Sequence, residues 1–155
     1  MSKKYDVYAI GNALVDYVIE VEESFFAEQN VEKSLMTLVD ADRQQELTAA
    51  IKGLIKEKQG GGSAANTIVA LSKLGGNGYY SCKVANDEDG RVYLKDLHDN
   101  GLDTNLKEDN LPSGITGKCL VMVSPDAERT MNTYLGITSD FSENEIDEDA
   151  LVNSE

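Results

Sequence analysis

Two short stretches carry side chains suited to holding a polyhydroxylated molecule. The first is Gly11-Asn12-Ala13-Leu14-Val15-Asp16, in which an amide and a carboxylate follow an apolar run. One ionised carboxylate accepts from two vicinal hydroxyls at once, so Asp16 beside Asn12 is a candidate diol site. Taken alone, Asp16 reads more simply as a turn or strand-edge carboxylate. The second stretch is Gly60-Gly61-Gly62-Ser63-Ala64-Ala65-Asn66. Gly61 and Gly62 have no side chains to keep a ligand from the backbone, and a helix opening at Ser63 directs unsatisfied N–H groups outward. Asn66, one turn further on, offers a donor and an acceptor, as sugar hydroxyls require.

The same glycines fit a relaxed G-x-G-x-x-A pattern from Gly60, the form of a turn that binds a dinucleotide's pyrophosphate. That pattern needs a strand before it, a helix after it, and an acidic residue about twenty positions later for the ribose. Asp87 or Glu88 supplies the acid. Ile51 to Gln59, however, reads as the end of an amphipathic helix, which leaves little room for a strand. A tight turn between two helices is the plainer alternative.

The elements that must position these residues follow from apolar spacing. Tyr5 to Ile10 alternates and ends at Gly11, a strand running into a turn, and Asp16 to Val21 resumes the alternation. Leu47, Ile51, Leu54 and Ile55 recur at helical spacing and predict a helix from Asp42 to Lys58, capped by Asp40 or Asp42. A second helix is expected from Ser63, its cap, to Leu74, with Ile68, Leu71 and Leu74 on one face and Gly75-Gly76 at its end. Tyr79 to Val84 reads as a strand and Gly90 to Asn100 as a helix stopped by Gly101. Strand and helix in alternation suggest a mainly parallel α/β layer. Ile115 to Val123 and Arg129 to Leu135 are strand-like runs joined by Ser-Pro-Asp-Ala-Glu, an expected antiparallel hairpin. From Ser142 an N-cap and an acidic first turn start another helix. A chain that ends as a further crossover begins reads as the N-terminal portion of something longer.

Composition narrows the chemistry. The 155 residues carry 14 Lys and Arg against 28 Asp and Glu, a formal charge of −14. Such a surface repels phosphate backbones and anionic lipid, which disfavours nucleic-acid and membrane partners. No stretch reaches the length of a membrane span, and the N-terminal apolar run is broken by Asp6, Asn12 and Asp16, so a cytoplasmic protein is expected. Cys82, Cys119 and the single His98 make no metal pattern; two buried thiols and a surface histidine at a helix end are expected.

In combination, GNALVD, GGGSAANTIVALSKLGG, KVANDEDGRVYLKDLHDNGLD and SGITGKCLVMVSPDAERTMNTYLGI resemble the N-terminal part of the ribokinase-like (PfkB-type) carbohydrate and nucleoside kinases, most of all the adenosine kinase branch. The resemblance covers nearly the whole chain in order. It implies a parallel sheet flanked by helices, incomplete here, with a small β-sheet lid from about residues 12–22 and 113–136. It places substrate binding on Asn12, Asp16, Gly62, Ser63 and Asn66. Leu14 and Met36 become either apolar walls of the site or ordinary core residues, and Arg129 either a lid arginine near the reacting groups or a solvated strand residue.

The implied reaction is transfer of the ATP γ-phosphoryl to a hydroxymethyl group of a sugar or ribonucleoside, with Mg²⁺ neutralising the phosphates. Family members draw the catalytic Asp and an anion-binding helix start from a Gly-Ala-Gly-Asp segment and tie magnesium to an Asn-x-x-Glu segment; neither motif is expected in these 155 residues, and no G-x-x-x-x-G-K-[ST] loop replaces them. The resemblance therefore implies no catalytic residue and no metal ligand in these 155 residues, a chain inactive by itself, and ATP and Mg²⁺ sites outside it. It leaves the lid exposed or pairing two copies as a homodimer. A binding module without chemistry and a nicotinamide-dependent Rossmann enzyme are the competing readings.

Overall fold

The two apolar runs nearest the N-terminus enter different sheets, and the break between them lies where those sheets meet. A computed structural model describes residues 3–155. In chain order the elements are β1 (Val7–Ile10), β2 (Leu14–Glu20), α1 (Glu23–Glu28), β3 (Met36–Leu38), α2 (Ala41–Ala50), β4 (Ile55–Gly61), α3 (Ser63–Lys73), β5 (Gly78–Ser81), α4 (Glu88–Asp99), β6 (Asp103–Thr104), β7 (Gly117–Val123), β8 (Arg129–Tyr134) and α5 (Glu148–Val152).

One sheet is parallel, in the order β1-β5-β6, as the alternation of strands and helices predicts. Helix α3 packs on β5 and β1, burying Ala65 and Ile68 against Tyr80. Tyr79, on the other face, joins Tyr5 and Ala150 in a second small core, stacks on Tyr8 at 5.3 Å, and donates its hydroxyl to Asp147 at 2.8 Å. That acceptor also caps α5. A capping box at Ser142 and Glu145 closes only a short 3-10 turn, so the last helix starts at Glu148, later than the sequence suggests.

The other sheet is mixed, five strands in the order β3-β8-β7-β2-β4. The expected hairpin is present as β7 and β8, antiparallel with Val123 opposite Arg129. The expected strand from Asp16 is β2, parallel to β7 with Asp16 opposite Cys119. Alternation along β2 buries Val15, Tyr17 and Ile19 against helices and leaves Leu14, Asp16 and Val18 on the opposite, more open face.

The predicted helix over 42–58 is corrected. It stops at Ala50, Ile51 forms its cap, and Gly53 turns the chain at φ +92°, a conformation glycine adopts without steric cost. Ile55 to Gly61 then runs as an edge strand antiparallel to β2. Three charged residues and one amide in Lys56-Glu57-Lys58-Gln59 suit an edge, where one side of the backbone ladder has no partner. Asp40 caps α2 through the Arg43 N–H, as expected. Leu74, expected on the buried face of α3, is 89% exposed because the helix ends there; Gly75 makes the predicted left-handed turn at φ +94°.

Candidate functional site

Pairing of β4 with β2 brings the two stretches singled out in the sequence together. Leu14 lies opposite Gly61, and Asp16 opposite Gln59. The turn that follows is shaped by contacts no side chain would permit. A Cβ on Gly61 would come within 2.4 Å of the Asp16 carboxylate, and one on Gly62 within 2.4 Å of the Asn12 carbonyl oxygen. Gly62 also sits at φ +107°, where a residue with a side chain is strained. Gly62, and not Ser63, is the N-cap of α3; it has no side chain to cap the helix, and the first intrahelical bond runs from Asn66 N–H to its carbonyl. Ser63 is the first helical residue, and both it and Asn66 are exposed.

Asp16 is half-buried, and among the described residues no hydrogen-bond or ion-pair partner reaches its carboxylate. Burial pushes its pKa up to about 6. An unpaired carboxylate held out of water disfavours its own charge, and a partner donating to it recovers that cost. Asn12 is exposed beside it, its carbonyl accepting from the Tyr80 hydroxyl at 3.2 Å. The next residue is pinned as well, with Ala13 N–H donating to Thr138 Oγ1 at 2.9 Å. The site thus gathers a carboxylate, two amides and an uncapped helix N-terminus.

The register of the mixed sheet decides which other residues share its face. Gln59, Asp16, Cys119, Thr133 and Leu38 form one row across five strands. Glu57, Val18, Val121, Met131 and Met36 form the next. Leu14 therefore lies against the glycine turn, whereas Met36 stands three strands from β2, roughly 15 Å away across the sheet. Met36 is 57% exposed, so it is not a core residue. Arg129 is exposed on the same face, four positions along β8 from Thr133 and about 13 Å from the Asp16 row.

Sequence reasoning missed Gln59, Cys119 and Thr133. Thr133 donates to the Cys119 thiol at 3.3 Å, and both are buried beside Asp16 in the row. Burial, with the nearby Asp16 charge adding to it, pushes the Cys119 thiol up to about 11. Gln59 was hidden because Ile51 to Gln59 read as the end of a helix; a register shift in β4 between Ile55 and Glu57 places Gln59 on the face opposite Ile55, so plain alternation does not find it.

A strand does feed the glycines, contrary to the sequence reading, but it is not a dinucleotide-type strand. It pairs antiparallel in the mixed sheet, whereas the fingerprint requires a parallel βαβ unit. The acids are also otherwise engaged. Asp87 caps α4 through Gly90 N–H and accepts from the N–H and hydroxyl of Thr116, while Glu88 faces Lys58 at 3.4 Å.

A scan against family models matches residues 34–155 to the pfkB family carbohydrate kinases. The chain belongs to that family. Among solved structures it is similar to an adenosine kinase from Sinorhizobium meliloti, with 34% identity and a TM-score of 0.84 over 97% of this chain and 45% of that one. A probable sugar kinase from Rhizobium etli CFN 42 is 30% identical, with a TM-score of 0.85, covering 98% and 45%. The adenosine kinase of Schistosoma mansoni in complex with adenosine shares the fold at 23% identity and a TM-score of 0.81, covering 99% and 46%. This chain therefore spans a little under half the length of the solved kinases it matches, and its fold is the ribokinase-like α/β arrangement of that family.

Donors for a nucleotide's metal are not assembled by the described residues: no group of three or more His, Cys, Asp or Glu is placed to hold a metal ion. Contrary to the sequence reading, an Asn-x-x-Glu spacing does occur, at Asn105 and Glu108. Asn105, however, is committed to the backbone of Cys82, accepting from its N–H at 2.9 Å and donating to its carbonyl at 3.0 Å. Among the described residues no helix is long and apolar enough to cross a membrane.

Proposed function

We propose that the chain is the acceptor-binding portion of an ATP-dependent kinase that phosphorylates a hydroxymethyl group of a ribonucleoside or sugar. The observation that carries this reading is the half-buried Asp16 carboxylate, without a partner among the described residues, set against the glycine turn that leads into α3. Two vicinal hydroxyls donating to Asp16 would replace the water it has lost, and the Asn12 and Asn66 amides would complete their hydrogen bonds. Gly62 and Ser63 would let the ligand approach the backbone, with the first N–H groups of α3 as donors. Leu14 would flank the sugar, and the mixed sheet would act as the lid, with Met36 and Arg129 at its distant part. Exposed Leu35, Met36 and Leu38 on that sheet's edge are where a homodimer through the lid would bury surface.

The solved adenosine kinase and sugar kinase named above support ribonucleosides and free sugars as acceptor classes. ATP is the family's phosphoryl donor and would supply the transferred group with Mg²⁺; the described residues assemble no metal-holding group, and both would be held by other parts of the parent protein, so that the 155 residues by themselves would be inactive. The test is a panel on the protein as its gene encodes it, with ATP and Mg²⁺, scoring phosphorylation of adenosine, ribose and fructose. Phosphorylation of one acceptor that vanishes in Asp16→Ala supports the reading. Acceptor binding without turnover would mark a binding module instead, and NAD binding with no acceptor binding would return the dinucleotide alternative.

A further inference from the structure

Helix α4 turns a polar stripe toward the mixed sheet. Asp89, Tyr93, Asp96 and Asn100 recur at intervals of four, three and four, one face of the helix, and the first three each bond a residue of β2 or β4. Two of those bonds grip the glycine turn itself. The buried Tyr93 hydroxyl donates to the Gly61 carbonyl at 3.0 Å, and Asp96 Oδ2 accepts from the Gly60 N–H at 3.0 Å. The fit is close enough to dictate the first glycine, since a Cβ on Gly60 would lie 2.6 Å from Asp96 Oδ2. Gly60 therefore faces α4 and Gly61 faces Asp16, as alternation along β4 requires.

We infer that Tyr93 and Asp96 are positioning residues: from outside the ligand site they hold the Gly60–Gly62 backbone at the distance from Asp16 and Asn12 that acceptor binding requires. Three consecutive glycines have no side-chain packing of their own and lose more conformational freedom on ordering than any other residues. Something outside the turn must hold it, and a phenol and a carboxylate from one rigid helix do so at adjacent backbone groups. Lys58 and Lys118 beside Tyr17 and Asp89 anchor the same helix to β4, β2 and β7 further along. Tyr80, bonded to the Asn12 carbonyl, plays the matching part on the other turn.

This inference rests on the acceptor-binding reading of the site, and its experiment separates the two. Tyr93→Phe, Asp96→Ala and Asp96→Asn are made in the protein as its gene encodes it, with Tyr79→Phe as the control that loses a hydroxyl bond far from the turn. Amide exchange at Gly60–Asn66 is measured without ligand, and KM and kcat for the acceptor with it. Tyr93→Phe and Asp96→Ala are expected to raise exchange of the turn about tenfold. They should also raise the acceptor KM several-fold, leaving the KM for ATP unchanged, whereas Asp96→Asn, whose amide oxygen still accepts from Gly60, restores both. Turn exchange and acceptor KM no different from those of Tyr79→Phe would overturn the inference. A wild-type protein that uses no acceptor, but whose turn loosens in Tyr93→Phe and not in Tyr79→Phe, would sink the kinase reading and still uphold the positioning role.

Discussion

The carboxylate of Asp16 occupies the space that a side chain on Gly61 would need, with 2.4 Å between its nearer oxygen and the ideal Cβ position. This contact joins the two polar stretches of the sequence into one site. Gly61→Ala must displace the carboxylate, and Gly62→Ala must both leave φ +107° and clear the Asn12 carbonyl. Each is expected to cost roughly 1–3 kcal/mol of stability. Chemical denaturation measures the loss, and a midpoint unchanged in both variants would contradict the geometry.

Asp16 also makes stability depend on pH. A carboxyl in the unfolded chain titrates near 3.9, roughly, and here burial pushes the folded value up to about 6. Between those values the folded protein binds the extra proton, so stability is highest below the lower value and declines as pH rises through the upper one. Discounted for the solvent that still reaches the group, the penalty at neutral pH is on the order of 1–2 kcal/mol. Asp16→Asn should raise Tm by roughly 2–6 °C at pH 7.5 and have little effect at pH 3.5. Differential scanning calorimetry at the two pH values distinguishes this from a uniform gain.

Binding should follow the same group in the opposite sense. Hydroxyls donate to the ionised carboxylate, so acceptor affinity is expected to fall about tenfold per pH unit below the Asp16 pKa. Titration calorimetry with adenosine or ribose between pH 5 and pH 8, in roughly unit steps, provides the profile. An affinity independent of pH across that window would remove Asp16 from the contact.

Asp89 ties α4 to the mixed sheet by accepting from the Tyr17 hydroxyl at 2.6 Å and lying 3.1 Å from Lys118 Nζ. Its side chain is 10% exposed and that of Lys118 17%. Asp89→Ala leaves a phenol and an ammonium without their acceptor, an expected loss of about 3 kcal/mol or more. Glu88→Ala, one residue earlier and 82% exposed, should stay within about 0.5 kcal/mol of wild type. Urea denaturation of the pair reads the difference.

Both cysteines are buried as free thiols, Cys82 fully and Cys119 at 5% exposure. Burial pushes both thiols up, and the thiolate is the reactive form. Neither should react with a disulfide reagent at pH 8 (about half a unit below an ordinary thiol's pKa) while the protein is folded. Both should react once denaturant is added, and labelling of the native protein within minutes would contradict their placement.

Much of the architecture was legible because local signals agreed with the tertiary outcome. Val92, Leu94 and Leu97 followed by Gly101 mark a helix with a glycine stop, and Pro125 and Asp126 between two alternating runs mark a hairpin. The failure at Ile51–Gln59 is instructive. Leu47, Ile51, Leu54 and Ile55 have helical spacing, yet Gly53 ends the helix and the remaining residues gain backbone partners only by pairing with β2, a strand some forty positions earlier. No window around residue 55 contains that strand. Asp96 and Tyr93 were passed over for the same reason: at the sequence level they are polar positions on an amphipathic helix, and only the arrival of β4 gives Asp96 a donor and Tyr93 an acceptor.

By itself the sequence determined which residue types were on offer: a carboxylate and amide after β1, three glycines before a helix start, and an excess of acidic residues. Their identities and order also carried the resemblance to the family. The tertiary structure alone decided that Asp16 faces Gly61 across a strand pair, that its carboxylate has no partner among the described residues, and that Met36 and Arg129 stand far from it on the same face. Those are consequences of strand register, and register is set by burying one face of the whole sheet at once, which no short segment encodes.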